Sequence, residues 1–257
     1  VLSKKYSSIG ASPTLAIDSK FKQMRADGID VVGFGAGEPD FDTPEHIKNA
    51  AIEAIHKGIT KYTPASGTPA LKAAICEKFK RENGLSYEPN QIVVSNGAKH
   101  SLVNVFGAIL NPGDEVLIPA PFWVSYPEMV KLADGVPRYI ITKEENEFKF
   151  TPEELENAIT DKTKALILNS PSNPTGMVYT ADELRAIADI CVKHNIFVVS
   201  DEIYEHLIYE GEKVSIASFG EDIKNLTIIV NGLSKTYAMT GWRIGYTACA
   251  PEITKLM

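Results

Sequence analysis

Apolar positions along the chain fall into two registers. From Gln91 onward, short β-branched and aliphatic runs read as strands: Ile92-Val93-Val94, Glu115 to Ile118, Tyr139-Ile140-Ile141, Lys164 to Leu168, Ile196 to Ser200 and Thr227 to Val230, with a further apolar run from Tyr246 to Ala250. Runs of this length bounded by turn residues suit strands buried on both faces. Between them apolar residues recur at helical spacing, as in Leu102, Val103, Val105, Phe106, Ile109 and Leu110, which stop at Asn111-Pro112-Gly113-Asp114. Strands that alternate with helices in this way predict right-handed βαβ units and a largely parallel sheet, an α/β fold.

Polar residues mark where the helices begin. Ser12-Pro13-Thr14 precedes an amphipathic stretch with Leu15, Ile17, Phe21 and Met24, ending at Asp27-Gly28. Thr43-Pro44-Glu45, Thr68-Pro69, Thr151-Pro152-Glu153-Glu154 and Thr180-Ala181-Asp182-Glu183 each place a capping hydroxyl before proline or acid, so each predicts a helix start. Val31 to Phe34 reads as a short strand that runs into Gly35-Ala36-Gly37-Glu38-Pro39-Asp40. That loop falls short of a dinucleotide fingerprint: GxGxxG is not met and Pro39 intervenes. Lys61 to Gly67 is a polar loop displaying Tyr62.

The 257 residues suffice for a large core, and the net charge of -7 disfavours nucleic acid as a partner. Three cysteines, Cys76, Cys191 and Cys249, lie in apolar segments without metal-ligand spacing and read as reduced core residues. Val1 to Tyr6 is short and basic with no apolar region behind it, and no apolar run reaches membrane-spanning length. The expectation is a soluble cytoplasmic protein, with no metal and no membrane partner.

Chemistry gathers at the carboxyl ends of the strands, where open α/β sheets bind ligands. Lys235 follows the Thr227 to Val230 strand within Asn231-Gly232-Leu233-Ser234-Lys235, and Arg243 lies eight residues on. A buried lysine is readily shifted to a lowered pKa and serves as a Schiff-base nucleophile, whereas an arginine stays charged and suits a phosphate. Ser95-Asn96-Gly97-Ala98-Lys99 feeds a helix through small residues and offers its N-terminus to an anion. Asn173 follows one strand, and Asp201 with Tyr204 ends another. Taken singly, Asp201 could cap a helix, Asn173 could make an Asx turn and Arg243 could sit in a surface ion pair. One ligand, pyridoxal 5'-phosphate, accounts for all of them: an amine for its aldehyde, an acid for its ring nitrogen, a helix N-terminus and arginine for its phosphate.

From Gly232-Leu233-Ser234-Lys235 through Arg243-Ile244-Gly245, together with Ala36-Gly37-Glu38-Pro39-Asp40-Phe41, Asn173-Pro174-Thr175-Gly176 and Ser200-Asp201-Glu202-Ile203-Tyr204-Glu205, the chain closely resembles the class I aminotransferases of the aspartate aminotransferase family, fold type I. The resemblance runs end to end. It implies a three-layer α/β/α architecture in which residues 1–40 belong with a small domain and residues 41–257 form the cofactor-binding large domain. It also implies that Lys235 is the Schiff-base lysine and proton carrier, that Asp201 pairs with the ring nitrogen, and that Tyr204 and Asn173 bond the ring's phenolic oxygen. Trp123 would stack on the ring, and Arg243 with the Gly97, Ala98 and Lys99 backbone would hold the phosphate. Tyr62 would reach the phosphate of a neighbouring subunit, which makes the active unit a homodimer. Gly37, Trp123 and Asn173 would line the pocket for the substrate α-carboxylate, and Lys99 with Thr14 would contact the distal carboxylate of aspartate.

The resemblance therefore implies transfer of an amino group from an L-amino acid, aspartate before alanine, aromatic or prephenate-type donors, to a 2-oxo acid. A non-catalytic pyridoxal-phosphate binder or sensor and a carbon-sulfur lyase on the same fold are the alternatives. Two departures stand out. Many relatives place a serine three residues before the lysine, where this chain has Gly232, which leaves only an N–H for the phosphate. Relatives also continue beyond Met257 with a small domain carrying the arginine that clamps the substrate α-carboxylate, so the chain is expected to be truncated before that domain.

Overall fold

The computed structural model describes residues 2–35 and 37–257; Val1 and Ala36, the latter part of the glycine-rich motif, lie outside the described residues. The chain opens with two helices, α1 (Lys4–Ser7) and α2 (Pro13–Ala26), followed by α3 (Glu45–His56) and α4 (Pro69–Asn83). Strands and helices then alternate: β1 (Ile92–Ser95), α5 (Ala98–Ile109), β2 (Glu115–Ala120), α6 (Ser125–Leu132), β3 (Val136–Ile141), α7 (Pro152–Ala158), β4 (Thr163–Asn169), α8 (Ala181–His194), β5 (Phe197–Asp201), α9 (Glu221–Leu226) and β6 (Thr227–Gly232). A strand without an intervening α-helix, β7 (Gly245–Ala248), and a last short helix, α10 (Pro251–Thr254), complete it.

The seven strands form one sheet in the order β1-β7-β6-β5-β4-β2-β3. All pairings are parallel except those of β7, which runs antiparallel to both β1 and β6. A parallel return needs a crossover, usually a helix, and the stretch from β6 to β7 holds only a short 3-10 turn at Thr240–Trp242. The strand therefore reverses, and its first residue, Gly245, pairs with the last residues of its neighbours, Ser95 and Gly232.

Period-two alternation explains the three layers. In β2, Val116 and Ile118 face the cluster built on α5 and α6, while Leu117 faces the opposite cluster with α7 and α8. The same division separates Ala165 and Ile167 from Leu166 and Leu168 in β4, and Ile228 and Val230 from Ile229 in β6. Helix α4 closes the second face over β6 and β7 through Ile75 and Phe79. An α/β/α sandwich with a mostly parallel sheet is thus observed.

Several local expectations are corrected. Val31 to Phe34 forms no strand, and Val32 and Phe34 are exposed. At the third helix the cap position is Pro44, with no side-chain cap, because the Thr43 hydroxyl instead donates to the Ala238 carbonyl at 2.6 Å. Thr68, Thr151 and Thr180 do cap, the last two in full capping boxes. All three cysteines are free; Cys191 and Cys249 are core residues and Cys76 is only partly buried. Among the described residues no helix is long and apolar enough to cross a membrane.

Candidate active site

Because β7 is antiparallel, the stretch preceding it emerges at the same sheet edge as the carboxyl ends of the parallel strands. Around a cavity of about 620 Å³ at this edge lie Lys235 after β6, Arg243 before β7, Asp201 at the end of β5 with Tyr204 in the turn beyond it, Asn173 in the loop after β4, and Ala98 and Lys99 from α5. Thr14, Gly37 and Trp123 line it too. Gly97 lies just behind, as the N-cap of α5. Tyr62 is not among the lining residues; it is fully exposed.

Lys235 is half-buried, and its ammonium donates to the Gly37 carbonyl. Burial lowers its pKa; Glu38 pulls the other way and the Arg243 charge adds to the lowering. The result is an amine that gives up its proton more easily than a solvated lysine. Its Nζ sits 5.7 Å from the centre of the Tyr204 ring. The Tyr204 hydroxyl accepts from Asn173 Nδ2 at 3.3 Å, so the two predicted neighbours form a pair.

Asp201 is 3% exposed. Burial pushes its carboxyl up to about 6, against two donors that favour the charged form: the Tyr126 hydroxyl to Oδ2 at 2.8 Å and the Ile203 N–H to Oδ1 at 3.2 Å. A buried carboxylate without a cation at hand is costly, and that cost is the signature of a group waiting for a positive partner.

The anion seat is built from α5 and Arg243. Gly97 adopts φ +86°, and no side chain caps the helix, so the Ala98 and Lys99 N–H groups are those an α-helix leaves without an intrahelical partner. A Cβ on Gly97 would run into the Arg243 guanidinium, which lies directly against the glycine. Arg243 itself adopts φ +57° and anchors through Nη1 to the Thr240 carbonyl at 2.8 Å. Lys99 Nζ stands 5.0 Å over the Trp123 ring, and burial together with the Arg243 charge lowers its pKa.

Gly232 departs from expectation. Its N–H donates to its neighbour's side chain, Asn231 Oδ1, at 2.7 Å and is not free for a phosphate. A Cβ there would meet the Ile244 carbonyl oxygen at 2.8 Å, so a serine would force the backbone to shift. The glycine serves the close pairing of β6 with β7.

Comparison with known proteins bears on this geometry. The family profile for aminotransferases class I and II matches residues 29–257. The chain belongs to this aminotransferase family. It is 58% identical to an aspartate aminotransferase of Bacillus sp. (strain YM-2), over 100% of this chain and 66% of that protein. It is 56% identical to an aspartate aminotransferase of Geobacillus stearothermophilus, over 100% of this chain and 65% of that protein. The solved structure of the aspartate aminotransferase from Thermus thermophilus with maleate superimposes with TM-score 0.96 at 50% identity, covering 100% of this chain and 66% of that one. The chain spans just under two thirds of the length of these relatives.

Within this chain, residues that sequence reasoning passed over also shape the site. Tyr126 reads in the sequence as one more apolar helix position, yet its hydroxyl reaches Asp201. Asn169 at the end of β4 donates through Nδ2 to the Asp201 carbonyl at 2.9 Å and accepts the Asn173 N–H at 2.8 Å, which locks two strand ends together. Glu38 accepts from the Thr240 hydroxyl at 3.0 Å, and Trp242 Nε1 donates to Thr43 Oγ1 at 3.1 Å. These bonds tie the 37–43 segment to the lysine loop. On the far side of β5, Glu205 receives Lys78, Lys213 at 2.9 Å, Asn83 at 3.1 Å and Asn231 at 2.7 Å.

Proposed function

We propose that this chain forms the cofactor-binding part of a pyridoxal-phosphate-dependent aminotransferase that moves the amino group of an L-amino acid, aspartate foremost, to a 2-oxo acid. The observation that carries the reading is the convergence on one cavity of an amine with lowered pKa, a buried acid and an uncapped helix N-terminus backed by arginine. The donor set fits the cofactor at each edge. Asp201 suits a protonated ring nitrogen, the Asn173 and Tyr204 pair suits the phenolic oxygen, and Trp123 supplies an aromatic face. The α5 N-terminus with Arg243 suits the phosphate. The cavity volume is in the range that holds a cofactor-sized ligand with room for a small substrate.

When bound, pyridoxal phosphate supplies an aldehyde for the amino group and a ring that takes up an electron pair. The chain's own residues do the rest. Lys235 Nζ accepts and returns a proton, an exchange that its lowered pKa favours over that of a solvated lysine. Asp201, ionised, would hold positive charge at the ring nitrogen, and Asn173 with Tyr204 would hold the phenolic oxygen. Gly37, Trp123 and Asn173 line the cavity and would hold an α-carboxylate there. Lys99 and Thr14 line the wall where a second carboxylate would sit, which favours aspartate.

Arg243 is the one arginine among the described residues that lines the cavity, so the arginine clamp for the α-carboxylate belongs to a part of the protein other than the described wall. Residues 1–40 are assigned to packing with a second, smaller domain; α2 buries no residue, and Leu15, Ile17, Val32 and Phe34 are exposed. A second copy of the chain is the fitting cover for Ile52, Ile55, Ile59 and Tyr62, all exposed on and beyond α3, with Tyr62 acting across the interface. Free cysteines agree with a cytoplasmic setting.

Borohydride reduction of the protein loaded with pyridoxal phosphate tests the reading. Peptide mass spectrometry is expected to find the pyridoxyl mass on the peptide containing Lys235. Recovery of that peptide unmodified from a loaded sample would refute it.

A further inference from the structure

Asp201 is held by a residue that the proposed chemistry leaves without a task. Tyr126 on α6 is 2% exposed, and its ring meets Trp123 edge-on at 5.4 Å. Its hydroxyl reaches 2.8 Å to Asp201 Oδ2, the one side-chain donor on that carboxylate among the described residues, while the Ile203 N–H occupies Oδ1. A buried phenol needs a hydrogen-bond partner, and a phenylalanine would fill the same apolar space without that need. The hydroxyl is therefore spent on the acid.

We infer that Tyr126 is a positioning residue for the acid that faces the cofactor ring: its hydroxyl fixes the Asp201 carboxylate plane and keeps it ionised, so that the free lone pairs point into the cavity. The inference rests on the reading of Asp201 as the partner of the ring nitrogen. Two forces meet on this carboxyl. Burial favours its neutral form, which cannot hold a protonated ring nitrogen; a donor on Oδ2 favours the charged form. Pro121, Phe122 and Trp123 lead into α6, so the aromatic that would stack on the ring and the residue that holds Asp201 come from one short segment. The titratable and charged groups around Asp201 are Tyr126 from α6, Tyr204 from the turn after β5, and Lys235, Lys99 and Arg243 on the other walls of the cavity.

The test measures pyridoxal phosphate affinity of the full chain against pH by quenching of Trp123 and Trp242 fluorescence, in wild type, Y126F, D201N and the double variant. Carbon-13 NMR of the aspartate carboxyl in the cofactor-free protein supplies a readout independent of binding. Y126F is expected to move the Asp201 titration about one pH unit upward from about 6 and so to weaken affinity about twofold at pH 7 and about tenfold at pH 5, with recovery as pH rises and the acid ionises. The double variant should match D201N. Incorporation of 3-fluorotyrosine at 126, which keeps the shape and strengthens the donor, should move the titration down and covers the case in which Y126F fails to fold. If D201N binds the cofactor as tightly as wild type, the reading of Asp201 fails. If D201N weakens binding while Y126F leaves the titration in place, or weakens binding equally at every pH, the Tyr126 inference alone is overturned.

Discussion

Replacing Asp201 by asparagine should give no gain in stability to the cofactor-free protein in acid and should stabilise it increasingly as pH rises toward 8. The carboxyl is pushed from 3.8 up to about 6 in the fold, because burial outweighs the Tyr126 and Ile203 donors. A group whose folded pKa is raised favours the fold while protonated. Its contribution is full below the unfolded value of 3.8 and is lost as pH rises through about 6. Linkage then makes the ionising carboxyl cost the fold less than about 1 kcal/mol at pH 4, rising to about 3 kcal/mol at pH 8. Asparagine carries no charge and escapes this cost. It turns its amide nitrogen toward one of the two donors, which gives back about 1 kcal/mol at every pH. The variant should thus be no more stable than wild type at pH 4 and about 2 kcal/mol more stable at pH 8. Urea denaturation followed by circular dichroism, without cofactor, measures the difference at each pH. Subtraction removes every other titrating group that the substitution leaves alone. Two stability curves running parallel from pH 4 to pH 8 would refute the claim that Asp201 is a strained, unpaired acid. The same variant should lose cofactor affinity, the exchange of stability for function that binding sites commonly show.

Two further outcomes follow from the surroundings of the site. G232S should lower stability by about 1–3 kcal/mol through overpacking against the Ile244 carbonyl, and should bring no gain in pyridoxal phosphate affinity; the urea midpoint and a fluorescence titration check both. Glu205 is pushed up by burial, but Lys78, Asn83 and Lys213 outweigh it and hold the carboxyl at about 2 against 4.5 in the open chain. Its stabilisation is therefore present above 4.5 and lost as pH falls toward 2, so E205Q should cost about 3 kcal/mol at pH 7 and progressively less in acid, again read by denaturation.

What the sequence shows of this fold is the part governed by local rules. Thr68, Thr151 and Thr180 cap as their positions dictate, since a cap involves only neighbours in the chain. Thr43 offers the same signal, but its hydroxyl finds Ala238, nearly two hundred residues away, and the local rule yields. Val31 to Phe34 has strand-like residues flanked by glycines, yet pairs with no strand among the described residues; apolar content without a ladder does not make a sheet. The candidate site was legible because Lys235, Asp201, Asn173 and Arg243 are polar residues at the ends of apolar runs, where the topology of parallel sheets gathers them. Tyr126 was not legible. An aromatic at a helical core spacing looks like packing, and only the partner supplied by β5 distinguishes a hydroxyl at work from a ring filling space.

The reversal of β7 makes the lysine loop a closed span: both of its ends, Gly232 and Gly245, are paired to each other in the sheet. Lys235 and Arg243 are therefore two attachment points on one tether whose ends are pinned. A ligand that engages the arginine finds the amine already at high effective concentration, and the entropy of bringing the two together is spent in folding, before any ligand arrives. The arrangement also couples length to chemistry. One residue inserted between them would add up to about 3.5 Å of chain while leaving both side chains intact, and would separate two functional groups that no substitution had touched.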